Sequence, residues 1–170
     1  MPAFTVLFDA CVLYPAPLRS LLMYLALTGI FRAKWTSAIH EEWMRSVCRD
    51  FPDITQSQVE RIRDLMNAHV CDCLVEGYEV IIPQLTLPDP NDRHVLAAAI
   101  HAGATTIVTA NLADFPATEL SKYGIDAQHP DEFVIHLIDI SQPTVCAAAK
   151  QHRLSLKKSR PSRLTSTLPR

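Results

Sequence analysis

The sequence predicts an α/β protein of three layers, in which helices cover both faces of a mainly parallel sheet of about five strands. Short β-branched or aromatic runs alternate with segments of helical periodicity along most of the 170 residues, which is typical of parallel sheets. Apolar residues make up 48% of the chain. That amount is enough for one buried core, and we expect a single domain followed by a tail.

Local signals define the elements of the first half. A strand of five apolar or β-branched residues opens the chain, and Ser37 is a suitable N-cap for a later helix. The sequence Thr55-Gln-Ser-Gln58 is a capping-box pattern, which predicts another helix start. The expected elements are a strand at residues 4–8, helices at 18–27, 37–49 and 55–70, and a strand at 78–82.

Residues that begin or end helices define the elements in the second half of the chain in the same way. Asp89 and Pro90 have the N-cap and N1 chemistry of a helix start, and Gly103 is suited to end that helix. Gly124 should stop a second, shorter helix. The expected elements are a helix at residues 89–103, strands at 105–108 and 125–128, a short helix at 116–123 between them, and helices at 130–140 and 144–153.

Charge is distributed unevenly over three expected regions: a folded domain at residues 1–140, a helical extension at 141–157 and a basic, disordered tail at 158–170. Residues 1–149 carry 9 basic and 18 acidic side chains, whereas residues 150–170 carry 7 basic side chains and no acidic ones. An acidic body repels polyanions. Binding of nucleic acid would therefore need metal ions, local basic groups, the tail or a partner chain.

Composition also predicts a cytoplasmic protein without membrane association. No apolar stretch reaches the roughly 18 residues of a membrane span. The N-terminus lacks the charged and then apolar pattern of a secretory signal. The five cysteines form no paired framework, which fits a reducing compartment.

Acidic and polar side chains follow two of the predicted strands. Asp9 comes directly after the first strand, while Thr109, Asn111 and Asp114 follow the strand at 105–108. The carboxyl ends of parallel strands border the crevice in which open α/β sheets bind ligands. The alternative is that Asp9 only starts a turn and that Asp114 is only a loop residue.

Helix periodicity selects two further carboxylates. On its predicted helix Glu42 borders the apolar face, whereas Glu41 faces water. Asp92 falls on the buried stripe that begins with Val95, and a buried carboxylate must be paired, hydrogen-bonded or metal-bound. Asp89 is explained by its role as an N-cap.

Several carboxylates around one crevice predict a divalent cation. Carboxylates about 4 Å apart repel by about 1 kcal/mol in water and by about 4 kcal/mol at an effective dielectric constant near 20. Mg²⁺ or Mn²⁺, which select oxygen ligands, would relieve that repulsion. Such a cation can activate a water molecule and stabilise a leaving oxygen, so the chemistry predicted is metal-assisted hydrolysis of a phosphodiester.

Four segments together resemble the PIN-domain family, and within it the VapC-type toxins of bacterial toxin–antitoxin pairs. They are LFDACVLY at residues 7–14, WTSAIHEEW at 35–43, DPNDRHVLAAA at 89–99 and VTANLADFP at 108–116. The likeness covers roughly residues 4–140. It implies about five parallel strands flanked by helices, and a Mg²⁺- or Mn²⁺-dependent endoribonuclease with RNA as substrate and a separately encoded antitoxin as partner.

The resemblance also implies roles for individual residues. The residues expected to bind metal and act in catalysis are Asp9, Glu42, Asp92 and Asp114. Those expected to support them are Thr109, Asn111 and Asp89, with Asn111 at a position where many relatives have an acid.

Two arginines and three histidines complete the candidates. Arg93 and Arg19 are possible phosphate contacts, with a solvated or salt-bridged arginine as the alternative. His94 should point about 200° away from Asp92 on the same helix, outside the site. The remaining two, His40 and His101, are expected at the surface or rim.

Two other functions agree with parts of the sequence. An aspartyl-phosphate phosphatase also places an Asp after its first strand, but it needs a second Asp two residues later, where Cys11 stands. A non-catalytic PIN-fold module that docks a partner protein is the alternative from another class. The apolar helices around residues 21–27 and 59–66 could form a homodimer interface, although core packing explains them equally well.

Overall fold

Four parallel strands form the centre of the computed structural model, which describes residues 3–158. They are β1 (Phe4–Phe8), β2 (Phe31–Lys34), β3 (Thr106–Val108) and β4 (Asp126–Gln128). Their order in the sheet is β2-β1-β3-β4, and every neighbouring pair is parallel. The chain builds outward from β1 in both directions, so the topological switch point, where α/β sheets bind ligands, lies between β1 and β3.

Helices flank this sheet, as the sequence predicts for a three-layer α/β fold. The α-helices are α1 (Ala10–Leu13), α2 (Ala16–Ala26), α3 (Ser37–Asp50), α4 (Gln56–His69), α5 (Arg93–His101), α6 (Ala117–Leu120) and α7 (Pro130–Lys158). Short 3-10 helices lie at Glu79–Gln84, Pro90–Asp92, Leu112–Asp114 and Ser121–Tyr123.

The last helix is two predicted helices joined at a kink. Ser141 is extended rather than helical, with φ −158° and ψ 87°. Pro143 follows two residues later and lacks the N–H that would continue the helical bonding. The predicted helix ends near residues 140 and 144 therefore correspond to a bend and not to a loop.

An aromatic cluster joins α7 to the centre of the sheet. The ring of Phe133 on α7 meets the rings of Phe31 on β2 and Phe8 on β1 edge to face, with centroids 5.1 Å and 6.0 Å apart. Trp35 stacks beside Phe8 at 6.4 Å. All four rings are buried, and edge-to-face contacts add to the stability that burial gives. This packing of aromatic rings therefore holds the carboxyl end of β1 in place.

Most predicted helix signals are confirmed. Thr55 and Gln58 form the expected reciprocal capping box at the start of α4, and Gly124 ends the helical segment before β4 in the left-handed region, with φ 68°. The cap of α3 is one residue earlier than expected, because the Thr36 hydroxyl, and not Ser37, accepts from the Ile39 N–H at 3.0 Å.

The predicted strand at residues 78–82 is wrong, and residues 3–158 form four strands where about five were expected. That segment is the 3-10 helix Glu79–Gln84, in which Val80 is exposed, and Pro83 inside it cannot donate to a strand ladder. The edge strand β2 was not expected. Its Arg32 and Lys34 have low strand propensity, and it is recognised only by its pairing with β1.

The region boundaries stay a prediction. Residues 159–170, most of the predicted basic tail, lie outside the part of the chain that the structure describes. Among residues 3–158, no helix has both the length and the apolar character needed to cross a membrane.

We predict that Phe133→Ala lowers the free energy of unfolding by about 3–5 kcal/mol, because it removes a fully buried ring and leaves a cavity. Urea denaturation would measure the change. Ile135→Ala is the matched control on the same helix, since Ile135 is exposed, and it should change stability by less than about 0.5 kcal/mol. Equal effects of the two substitutions would contradict the core assignment.

Candidate active site

Asp9 lies at the carboxyl end of β1 with a buried side chain, 4% exposed. Its Oδ1 accepts from the Ala10 N–H at 2.7 Å, so Asp9 does begin the short helix α1, as the turn alternative proposed. Its Oδ2 accepts from the Thr109 hydroxyl at 2.9 Å and from the Cys11 thiol at 3.3 Å. One carboxylate therefore caps a helix and also links the ends of β1 and β3.

Cys11 is a site residue that the sequence argument did not select. Its Sγ accepts from the Ala110 N–H at 3.2 Å and lies 3.3 Å from the Thr109 hydroxyl. Burial, together with the nearby charge of Asp9, raises the pKa of the Cys11 thiol to about 11. The thiol is protonated at neutral pH and acts as a hydrogen-bond link, not as a nucleophile. Its position two residues after Asp9, in the same turn, was the available signal.

Five carboxylates converge on this edge of the sheet. Burial is the main cause that raises the pKa of Asp92 to about 6, and the remaining causes are the charges of four other acids. Those acids are Asp9, Asp89, Asp114 and Glu42. For Asp9 itself, burial raises the pKa and outweighs the three hydrogen bonds that lower it, while the charge of Glu42 raises it further. All four predicted catalytic acids thus share one electrostatic site.

Asp92 is half-buried and not part of the buried stripe of α5. It ends the 3-10 helix Pro90–Asp92, and α5 begins only at Arg93. This junction changes the angular relation between Asp92 and the residues after it. His94, which was expected to face away from Asp92, places its Nε2 3.7 Å from Oε2 of Glu42, on the neighbouring helix α3. The expectation that His94 lies outside the site is therefore wrong.

The supporting residues lie where the sequence places them. Thr109 is fully buried, and its hydroxyl also accepts from the Asn111 N–H at 3.0 Å. Asp89 accepts from the Asn91 N–H at 2.9 Å, which confirms its role as an N-cap. Asp114 is half-buried at the end of the 3-10 helix Leu112–Asp114.

The two candidate phosphate contacts differ in accessibility. Arg93 is half-buried and donates from Nε to the Pro90 carbonyl at 3.1 Å. Arg19, by contrast, is buried: it donates to the Leu13 carbonyl at 2.7 Å, and its guanidinium lies 4.6 Å from the centre of the Trp43 ring. Arg19 is therefore engaged with Leu13 and Trp43 and does not line the cavity beside the acids, so the structure does not support it as a phosphate contact of the site.

His40 also differs from the prediction. It is 1% exposed, and its ring nitrogens lie 2.9 Å from the Asn67 side-chain oxygen and 2.9 Å from the Trp43 indole nitrogen, which donates to it. Burial lowers its pKa. His40 is therefore a neutral, hydrogen-bonded core residue, whereas His101 is exposed as expected.

The donor set suits a hard cation in kind, because every acid gathered here offers carboxylate oxygen. Within residues 3–158, however, no group of three or more His, Cys, Asp or Glu side chains is placed so that it could hold a metal ion. The acids of the site interact electrostatically, but in residues 3–158 they are not placed as a ready-made set of ligands around one ion.

A family model described as PIN domain matches residues 5–113, well over half of the chain. The chain belongs to the PIN-domain family. It is also 51% identical over 49 residues to a Mycobacterium tuberculosis (strain ATCC 25618 / H37Rv) protein named "Putative ribonuclease VapC50". That match spans 29% of this PIN protein and 29% of its relative. No solved structure matches the chain.

We predict that, in EDTA, Asp92→Asn is more stable than the unchanged protein at pH 7.5. The folded pKa of about 6 lies above the ordinary value of 3.8. The stability tied to protonated Asp92 is therefore complete below pH 3.8 and is lost as the pH rises through about 6. After allowance for solvent screening, the gain from the amide is about 1 kcal/mol.

Urea denaturation at pH 4.5 and 7.5 would measure this, and the gap between the two proteins should widen with pH. Asp53→Asn, at an exposed carboxylate, is the matched control and should show no such widening. A gap that stays constant would contradict the electrostatic coupling of Asp92.

Proposed function

We propose that this PIN domain is a Mg²⁺- or Mn²⁺-dependent endoribonuclease that hydrolyses phosphodiester bonds of RNA. The observation that carries the proposal is the convergence of Asp9, Glu42, Asp92 and Asp114, whose charges combine with burial to raise the pKa of Asp92 to about 6. A protein gains nothing in stability from such repulsion. A bound divalent cation would relieve it.

Each group in this site has a definable task. Asp9, the most buried of the four catalytic candidates, and Asp92, whose pKa is raised by burial and by the neighbouring acids, would hold the cation, while Glu42 and Asp114 would complete its surroundings. Thr109 fixes the orientation of Asp9 through the bond at 2.9 Å. When bound, the cation supplies a lower pKa for the attacking water and charge stabilisation for the leaving oxygen.

The loose spacing of the acids favours a hydrated ion. Mg²⁺ dehydrates reluctantly and is often held by one or two carboxylates together with water and substrate phosphate. Glu42, half-exposed on α3, can adjust its side chain to reach such an ion. The arrangement therefore needs no preformed cage of three protein ligands.

RNA must approach an acidic body, and positive charge near the site would offset the repulsion. The cation itself is one source. Arg93, at the start of α5, would contact a phosphate of the RNA. The basic residues of the predicted tail would supply further positive charge. Asn111 and Asp89 would keep their supporting roles at the rim.

The cellular setting that we propose is that of a VapC-type toxin in the cytoplasm, held inactive by a separately encoded antitoxin. The similarity over 49 residues to a protein whose name includes ribonuclease and VapC50 supports this setting. A homodimer through the apolar helices α2 and α4 is part of the same proposal.

The alternative, a non-catalytic module that docks a partner protein, has less support. Protein docking does not require buried carboxylates that raise one another's pKa, and this arrangement lowers the stability of the fold. No contact around Asp9 or Asp92 favours protein docking over cation binding.

We predict that Asp9→Asn and Asp92→Asn each reduce RNA cleavage by on the order of 100-fold or more, because each weakens the cation site. Cleavage of a long single-stranded RNA, with sequencing of the new ends, would measure it. EDTA should abolish cleavage, and added Mg²⁺ or Mn²⁺ should restore it.

Two adjacent glutamates on α3 supply a matched control. Glu42→Gln should slow cleavage, whereas Glu41→Gln, which removes an equal charge from an exposed neighbour, should leave the rate within about twofold. Cleavage that persists unchanged in Asp9→Asn and in EDTA would disprove the proposed mechanism.

A further inference from the structure

A cavity of about 320 Å³ opens beside the carboxylates. Cys11 and Glu42 line it on the side of the acids, and Tyr14, Arg49 and Asp50 line it further along. Glu42 and Arg49 are two helical turns apart on α3, a rise of about 10 Å. The cavity thus continues from the proposed reaction centre towards a second group of side chains. Its volume lies at the lower end of the range for small-ligand pockets.

The second group of side chains is held by hydrogen bonds. The Tyr14 hydroxyl donates to Oδ2 of Asp50 at 2.8 Å, and Nε of Arg49 donates to Oδ1 of Asp50 at 2.8 Å. Hydrogen bonding to Arg49 lowers the pKa of Asp50, and the same bond raises the pKa of Arg49. Both groups are charged at neutral pH. Asp50 thus contacts both Tyr14 and Arg49 at one wall of the cavity.

Arg49 retains the capacity to bind a ligand. Its side chain is 70% exposed, and only Nε and one terminal nitrogen contact Asp50. A guanidinium has five N–H donors, so the others can reach an anion. Among residues 3–158, Arg49 is also the one basic residue that lines this cavity. Residues 1–149 carry twice as many acidic as basic side chains, so a guanidinium with free donors at this cavity is a suitable contact for a phosphate.

We propose that this cavity binds the nucleotide adjacent to the cleaved phosphodiester, with Arg49 on its phosphate and Tyr14 against its base. An arginine and an aromatic ring together are the means by which proteins bind single-stranded nucleic acid. The inference rests on the proposed ribonuclease function, for which it names a substrate-binding subsite.

The test is equilibrium binding of a fluorescein-labelled single-stranded RNA oligonucleotide, with the full chain carrying Asp92→Asn so that cleavage does not interfere. Arg49→Ala in that background should raise Kd about tenfold, the effect of one lost charge-assisted contact. It should also lower the slope of log affinity against log salt by about 0.7, because one fewer phosphate is neutralised.

The control for Arg49 is Arg61→Ala, which removes an equal charge from an exposed residue of α4 outside the cavity. It should change Kd by less than about twofold. Arg49→Ala alone leaves the charge of Asp50 without its arginine partner, which could itself repel RNA. The double substitution Arg49→Ala with Asp50→Asn removes that charge, and it should bind RNA as weakly as Arg49→Ala alone. Equal losses for Arg49→Ala and Arg61→Ala would overturn the phosphate contact.

The base contact has its own test. Tyr14→Ala should raise Kd about tenfold through lost stacking, whereas Tyr14→Phe should stay within about twofold. A series of oligonucleotides, each with one abasic position, identifies the stacked base. At one position the missing base should weaken binding to the protein with Tyr14 intact about tenfold, and with that oligonucleotide Tyr14→Ala should cause no further loss of affinity. If no position does so, or if Tyr14→Phe binds as weakly as Tyr14→Ala, the stacking contact is disproved.

Failure of the subsite can be told apart from failure of the proposed ribonuclease function. Loss of binding in Arg49→Ala and Tyr14→Ala, together with no metal-dependent cleavage by the unchanged protein, would retain the subsite and reject the nuclease. Normal binding by both variants, together with metal-dependent cleavage, would retain the nuclease and reject the subsite.

Discussion

A single buried carboxylate organises the carboxyl edge of this sheet. Asp9 stands after β1, and its bonds to Ala10, Cys11 and Thr109 join the residues that follow β1 to those that follow β3. Burial of a carboxylate without such donors would be costly. The two strand ends therefore cannot separate without exposing an unpaired acid, and the switch point of the fold is fixed by the same bonds that define the site.

The bonds to Asp9 do not compensate fully for its burial, since its pKa remains raised. The pKa of Asp92 is also raised, by burial and by the charges of four other acids. Stability alone would select amides or apolar residues at such positions, and residual strain of this kind is common at functional sites. The divalent cation that we propose would offset this cost in stability, because its positive charge would reduce the repulsion between the carboxylates when it is bound.

Features that depend on local sequence were predictable, and features that depend on distant packing were not. The strand before Asp9, the capping box at Thr55 and the gathering of acids at the strand ends all follow from neighbouring residues. The burial of Arg19 depends on the Trp43 ring, 24 positions away in the sequence, and β2 depends on its pairing with β1. His94 meets the site through Glu42 on α3, a contact between two helices that the periodicity of α5 alone does not include.

The bond between Asp9 and Thr109 spans 100 positions of sequence. During synthesis on the ribosome, a nascent chain that has exposed only β1 carries Asp9 without its partner. The site is completed only after β3 has emerged and docked beside β1, which is a contact of high sequence separation. Under the proposed function, a growing chain that has not yet exposed β3 would therefore have no complete site with which to cut RNA.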